Sequence, residues 1–270
     1  MDLWQEIARE KAARRPVVTA TVVRDSGSVP RTTGAKMLVY PDGRTRGTVG
    51  GGRFEALVLQ EALAALATGQ SVTHLYSFVP ESDGAERHGA RTFGAVCGGR
   101  VEVYLEVIMP SDRLLIVGGG HCGRALVQAA ALLDFSIVLA DDRADYARPE
   151  DYPFANVEAV LHLASDFAGL PLPDEATYVV LVSKGFLTDE AALRRVLDTP
   201  AAYIGMIGSK RKRETVFNNL RAAGIAEKKL ARVHAPIGLE IGAETPEEIA
   251  ISILAEIIQV RAQRQQQAAN

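Results

Sequence analysis

Leu114-Leu-Ile-Val-Gly-Gly-Gly-His-Cys-Gly-Arg124 decides how the rest of the chain is read. Four apolar residues form a strand short enough to be buried on both faces. Gly118-Gly-Gly120-His-Cys-Gly123 follows at once, spaced G-x-G-x-x-G, and opens a predicted helix over 124–133. In that setting Gly118 permits a tight turn, Gly120 lets a phosphate come close to the backbone, and Gly123 allows close helix–strand packing. Free N–H groups at the helix start supply positive potential for a diphosphate. Asp141 ends the next predicted strand, where a carboxylate binds ribose hydroxyls, and Arg143 offers a phosphate partner instead. These residues point to a Rossmann-type parallel sheet, and a sheet of that kind with no ligand is the alternative they leave open.

Downstream the pattern holds. Apolar strands at 157–161, 178–182 and 203–204 alternate with helical stretches near 188–198 and 210–223, as in a parallel sheet covered on both faces. The last helix opens with Thr245-Pro-Glu-Glu248, a capping box with proline at its first position. Ile249, Ile253, Ile257 and Val260 form its buried stripe.

Upstream the pattern changes. Met109-Pro-Ser-Asp112 is a short break, and it divides the chain into a small α/β domain over 1–110 and the Rossmann-like domain over 111–270. The first domain starts with a helix over 3–15, capped by Asp2 and stopped by Pro16. Strands follow at 17–23 and 37–40, with a turn at Pro41-Asp-Gly43 into a third. A helix over 54–67 ends at Gly69, and 72–79 is extended. Residues 80–95 read as a polar loop, and 100–108 alternates as a half-buried strand.

Thirty basic against 33 acidic residues give a net charge of −3 over 270 residues, which argues against a general nucleic-acid binder. No run approaches a membrane span of roughly 20 apolar residues. The N-terminal stretch has no apolar core of a signal peptide, and two cysteines make no disulfide framework, so a cytoplasmic protein with reduced thiols is expected. Histidines 74, 88, 121, 162 and 234 lack metal-ligand spacing, and no Gly-x-Ser-x-Gly elbow occurs. A self-contained hydrolase therefore has little support.

Three more motifs carry chemistry. Gly47-Thr-Val-Gly-Gly-Gly52 leads into a helix with Glu55 on its first turn, so Gly50, Gly51 and Gly52 let a ligand approach the backbone, unless the segment is merely a flexible turn. Tyr203-Ile-Gly-Met-Ile-Gly-Ser-Lys210 places Gly208, the N-cap Ser209 and Lys210 at a helix start, with Arg213 beside them; this is an anion nest or a solvated basic turn. Cys97-Gly-Gly99 presents a thiol flanked by glycines, able to ligate a metal or carry sulfur, or to serve as a small buried hydrophobe. Cys122 reads as a small side chain that fits the glycine loop.

In this order the motifs resemble those of the XdhC/CoxI family, the maturation factors of xanthine and carbon monoxide dehydrogenases. The matching stretches include Gly27-Ser-Val-Pro-Arg31, Gly47 to Gly52 with Glu55, Cys97-Gly-Gly99, Gly118 to Gly123 and Asp141-Asp-Arg143. Tyr203 to Lys210 and Pro236-Ile-Gly-Leu-Glu-Ile-Gly-Ala-Glu-Thr-Pro-Glu-Glu-Ile249 complete the set. The resemblance implies a chaperone that binds the molybdenum cofactor (molybdopterin), protects it while a sulfido ligand is installed, and hands it to a molybdenum hydroxylase apoenzyme. A cysteine desulfurase and self-association into a homo-oligomer are implied as well. On this resemblance the Rossmann glycines hold phosphate or nucleotide parts of the cofactor, and Cys97 stands near the metal or the sulfur. One departure stands out: where relatives carry a histidine ahead of an aspartate, this chain has Ser183-Lys-Gly-Phe-Leu-Thr-Asp189, which keeps only the aspartate. The rival readings are an NAD(P)-dependent oxidoreductase and a regulatory module that senses a nucleotide such as AMP.

Overall fold

The computed structural model describes residues 2–79, 91–94 and 98–269. Two compact units divide the chain, Met1–Pro110 and Ser111–Asn270.

The first unit runs α1 (Leu3–Ala12), β1 (Val17–Ser26), β2 (Lys36–Val39), β3 (Thr45–Gly47), α2 (Gly52–Thr68), β4 (Val72–Val79), β5 (Arg91–Gly94) and β6 (Arg100–Ile108). Its sheet is ordered β3-β2-β1-β6-β4-β5. The period-2 pattern of β1 and β2 sorts their side chains. Val18, Ala20, Val22, Met37 and Val39 pack with Phe54, Val58 and Ala62 of α2, whereas Val17, Leu38 and Tyr40 pack with Ile7 of α1. Each buried Val, Leu, Ile, Met or Phe among them contributes about 1.5–3 kcal/mol. The Phe54 ring meets Tyr76 and Phe78 edge-on, with centroids 5.1 Å from each, and so pins the first turn of α2 to β4. Between Val22 and Arg24 the register of β1 on β6 shifts by one residue, which bends the strand just before its terminal loop.

The loop expected over 80–95 needs one correction. Residues 91–94 form β5, which pairs in parallel with β4 from Tyr76↔Arg91 to Val79↔Gly94. A four-residue edge strand is too short for its alternation to be read from sequence.

The second unit runs β7 (Asp112–Val117), α3 (His121–Ala130), β8 (Phe135–Asp141), β9 (Val157–His162), β10 (Thr177–Leu181), α4 (Phe186–Val196), β11 (Tyr203–Met206), α5 (Lys210–Ala222), α6 (Glu227–Leu230), β12 (Val233–His234) and α7 (Pro246–Ala269). All its strands are parallel, in the order β12-β11-β10-β7-β8-β9. The chain lays β7 centrally, adds β8 and β9 to one side, and returns to build β10 to β12 on the other. This is the doubly wound Rossmann order, with its switch point between β7 and β10. Alternate residues face opposite layers: Leu115, Val117, Val179 and Leu181 pack on Leu193 of α4 and Val216 of α5, while Leu114, Ile116, Ile137 and Val180 pack on Leu126 of α3 and Ile253 of α7. The short α6 and the two-residue β12 carry no readable sequence signal.

Candidate functional site

In the first unit three glycine-containing loops meet. Ser28 and Gly98 form a parallel bridge. A side chain on Gly99 would collide with the Ser28 carbonyl, and one on Gly50 would come within 2.7 Å of Pro30 Cβ. The stretches 27–31, 47–52 and 98–99, separate in sequence, are thus one structural cluster at the carboxyl end of the bent β1. Cys97 itself lies outside the described residues; its chain neighbour Gly98 belongs to the cluster.

Glu55 organises the middle loop. Its Oε2 accepts from the Thr48 hydroxyl, from Val49 N–H at 3.1 Å and from Gly51 N–H at 3.1 Å. Burial pushes the carboxyl pKa up, but the Thr48 hydroxyl and the Gly51, Val49 and Gly50 amides outweigh it and hold it below the usual range. The carboxylate is therefore the anion that fills this backbone nest. Around Gly51 and Gly52, both with positive φ, the space where a side chain would project is empty, so the loop offers bare backbone.

In the second unit the glycine fingerprint sits at the carboxyl end of β7. A side chain at Gly123 would collide with the Gly118 carbonyl, and one at Gly118 would come within 2.7 Å of Ser183 N. Both glycines are thus required by close packing at the switch point, whereas Gly120 faces open space. Asp141, at the end of β8, is only 2% exposed. Its Oδ2 accepts Gly119 N–H at 2.7 Å and Arg143 Nη2 at 2.8 Å, and its Oδ1 accepts Arg143 N–H and Nε, each at 2.9 Å. Burial alone pushes this carboxyl up; Arg143 and the Gly119 amide overcome it and keep the group ionised. The Arg143 guanidinium also lies 3.8 Å from the Tyr146 ring centroid. Asp141 and Arg143 are thus partners of each other. Tyr146 packs its carbonyl over Gly119, and Tyr152 donates to the Gly119 carbonyl at 3.3 Å. The space left beside Gly120, His121, Arg124 and Arg148 is about 120 Å³, below the several hundred Å³ usual for cofactor pockets.

Further along the same carboxyl edge, Ser209 caps α5 by accepting Lys212 N–H at 3.2 Å. Gly208 precedes it, and Lys210 and Arg211 are exposed. Sequence reasoning misses Lys212. Its Nζ lies 2.5 Å from Asp189 Oδ2 and 3.0 Å from the Ser183 carbonyl, while the Ser183 hydroxyl lies 2.5 Å from Asp189 Oδ1. Asp189 is fully buried, and burial raises its pKa despite Lys212 and Ser183. Asp189 is thus paired with a lysine from α5. No local signal singles Lys212 out, because it stands in a run of four basic residues, Lys210 to Arg213.

A second carboxylate, Glu256 of α7, ties the edge of the sheet. It meets His234 Nδ1 at 2.7 Å, accepts the Tyr203 hydroxyl, and accepts Gly238 N–H at 2.7 Å. Ser252 donates to the Leu239 carbonyl at 2.6 Å, and Glu248 accepts Thr245 N–H at 3.0 Å. Arg213 donates to the Ala235 carbonyl at 2.9 Å. These bonds fix the segment between β12 and α7. Cys122 packs against the core, and burial raises its thiol pKa. Among the described residues, no group of three or more His, Cys, Asp or Glu side chains is arranged to hold a metal.

Comparison with known proteins places this geometry. The XdhC Rossmann domain profile matches residues 114–257, and that of the XdhC and CoxI family matches residues 11–77. The chain belongs to the XdhC and CoxI family. It is 38% identical over 263 residues to the uncharacterized protein YqeB of Escherichia coli, covering 97% of this chain and 46% of that protein. It is 29% identical over 162 residues to a probable xanthine dehydrogenase component of Bacillus subtilis, covering 59% of this chain and 46% of that one. It is 24% identical to the molybdenum cofactor insertion chaperone PaoD of Escherichia coli, over 90% of this chain and 83% of that one. The chain thus spans about half the length of the first two relatives. A solved structure titled a xanthine dehydrogenase from Bacillus halodurans shares the fold at a TM-score of 0.52 and 23% identity, over 98% of this chain and 97% of that one. Among the described residues, no helix is long and apolar enough to cross a membrane.

Proposed function

We propose that this chain binds the molybdenum cofactor as cargo and serves the maturation of a xanthine dehydrogenase-type molybdenum hydroxylase. The observation that carries this reading is the convergence of 27–31, 47–52 and 98–99 into one glycine-lined cluster adjoining Cys97 in sequence. Bare backbone at Gly51 and Gly52 leaves room for the close approach of a bulky cofactor, and a thiol suits molybdenum or a sulfur atom in transit. Membership of the family, and a relative named as a cofactor insertion chaperone, support the same reading.

On this proposal residues 1–110 and 111–270 act as two domains, the first handling the metal end of the cargo. The cargo waits in the cytoplasm for its terminal sulfido ligand, delivered by a cysteine desulfurase, and passes to the apoenzyme; a homo-oligomer is the working state. The NAD(P)-dependent alternative is weaker, because Arg143 already holds both Asp141 oxygens and Tyr146 lies over the glycine loop.

The test is metal analysis of protein purified from a host that makes the cofactor, paired with pterin fluorescence after oxidation. Molybdenum and pterin near one per chain, lowered by Cys97→Ser, are expected. NADH turnover on carbonyl compounds with no molybdenum retained would overturn the proposal.

A further inference from the structure

The carboxyl edge of the parallel sheet carries two unlike patches. The first is built by the starts of α4 and α5. Lys212 reaches the Ser183 carbonyl and Asp189, and Asn219 donates to Glu190, so the two helices lie side by side. Phe186 and Leu187, the first residues of α4, are 45% and 67% exposed. Lys184 precedes them, and Lys210 and Arg211 open α5. All three cations are exposed, and no carboxylate pairs with them among the described residues. The acids nearby are engaged or set back. Glu190 holds Arg194, Asp142 accepts from Thr188, and Glu214 sits a turn further into α5.

The second patch follows β12. Residues 236–243 meet Ile207, Gly208, Ile249 and Ser252 around a cavity of about 560 Å³. Its walls are apolar at Ile207, Ile237, Leu239 and Ile249. Glu240 lines it, Glu244 follows directly on the lining residue Ala243, and Ile241 is 55% exposed. Neither Glu240 nor Glu244 has a side-chain partner among the described residues, and Glu247 and Glu248 on the first turn of α7 add negative charge.

One patch thus presents apolar side chains with cations, and the other an apolar hollow with carboxylates. Exposed apolar groups rimmed by unpaired charge mark a surface that another protein covers. Each patch supplies what the other lacks, yet no ion pair joins them within the chain among the described residues. Both lie on the same edge of one sheet. A half-turn about an axis between them therefore lays each on its opposite in a second copy, and the contact closes without leaving a free patch. Both patches are held in advance. Lys212 ties the first, while Glu256, Ser252 and Glu248 each hold a backbone group of 238–245 in the second, so little ordering remains on association.

We propose that two copies of this chain associate through this edge. Phe186 and Leu187 of one copy cover the cavity of the other, and Lys184, Lys210 and Arg211 face Glu240 and Glu244. The inference gives a surface to the homo-oligomer proposed above and rests on that part of the reading; it needs no cargo.

Sedimentation of the full chain over a range of concentration and salt tests the interface. A dimer that weakens as salt is raised is expected. Lys184→Glu with Arg211→Glu should raise its dissociation constant about tenfold or more, and Glu240→Lys with Glu244→Lys should do the same. An equimolar mixture of the two variants should dimerise again, because each brings the sign that the other has lost. Thermal unfolding at the wild-type midpoint separates a lost contact from a lost fold; should either variant fail to fold, Leu187→Ser and the salt series decide instead. A monomeric wild-type chain, a dimer indifferent to both reversals, or a mixture of folded variants that stays monomeric overturns the proposal. Molybdenum and pterin carried by a monomeric wild-type chain would remove this interface and leave the carrier reading intact. A dimer restored by mixing, in a wild-type chain that carries no molybdenum, would keep the interface and remove the carrier reading.

Discussion

Arg143 grips both carboxylate oxygens of Asp141, at 2.9 and 2.8 Å, in the place where a dinucleotide fold usually leaves an acidic side chain free for ribose. The second unit has kept the sheet, the glycines and the acid, and has turned the acid inward.

Replacing Arg143 by alanine leaves a buried carboxylate with backbone donors alone. A loss of about 1–3 kcal/mol in unfolding free energy is expected. Chemical denaturation measures it, and an unchanged midpoint would show that the pair is energetically idle.

Glu55→Ala empties the nest made by residues 48–51. Amides 49 and 51 should then exchange with solvent deuterium markedly faster, and the first unit should lose about 1.5–3 kcal/mol, the range of hydrogen bonds to a charged group. Protected amides in the variant would mean that the loop keeps its shape without the carboxylate.

Lys212→Met strands Asp189 in the core, where breaking a buried pair costs about 3–5 kcal/mol. Asp189 has a raised folded pKa, so its favourable contribution is present below the ordinary aspartate value and is lost as pH rises through the folded one. The deficit of the variant should therefore be small near pH 4 and large near pH 7. A deficit independent of pH, read from denaturation curves across that range, contradicts this account. The double change with Asp189→Leu should recover part of the loss.

Glu256 behaves oppositely. Burial raises its pKa, but His234, Tyr203 and the Gly238 amide together bring it below the ordinary value. Its stabilisation is full above the unfolded carboxylate pKa of about 4.3 and fades as pH falls through the lower folded value. Glu256→Gln should flatten that part of the acid limb of the stability curve; an identical limb in both proteins counts against the assignment.

Much of this fold is legible in the sequence, for physical reasons. Leu114 to Val117 and residues 178–181 are apolar throughout because their strands are covered on both faces, and the glycines at 118 and 123 are required by packing that leaves no room for a side chain. The capping box at Thr245 and Glu248 forms as written. What the sequence hides depends on partners distant in the chain. Asp141 in isolation looks like a ribose ligand, and only the fold brings the Gly119 amide and Arg143 onto it. Among Lys210, Arg211, Lys212 and Arg213, nothing local says which two face inward. The joining of 27–31 with 98–99 depends on β1 and β6 lying side by side, with about seventy residues between them.

Glu248, Ser252 and Glu256 stand at intervals of four along α7, one polar stripe on a helix whose neighbouring stripe, Ala250, Ile253 and Ile257, is sealed into the core. A helix can rotate or slide only as a whole, so the contour of residues 238–245 is cast by a mould just over two turns long. Changes on the loop's outer face leave that casting intact. Changes on the stripe re-cut the mould, and would reshape residues 238–245 from positions on a different element.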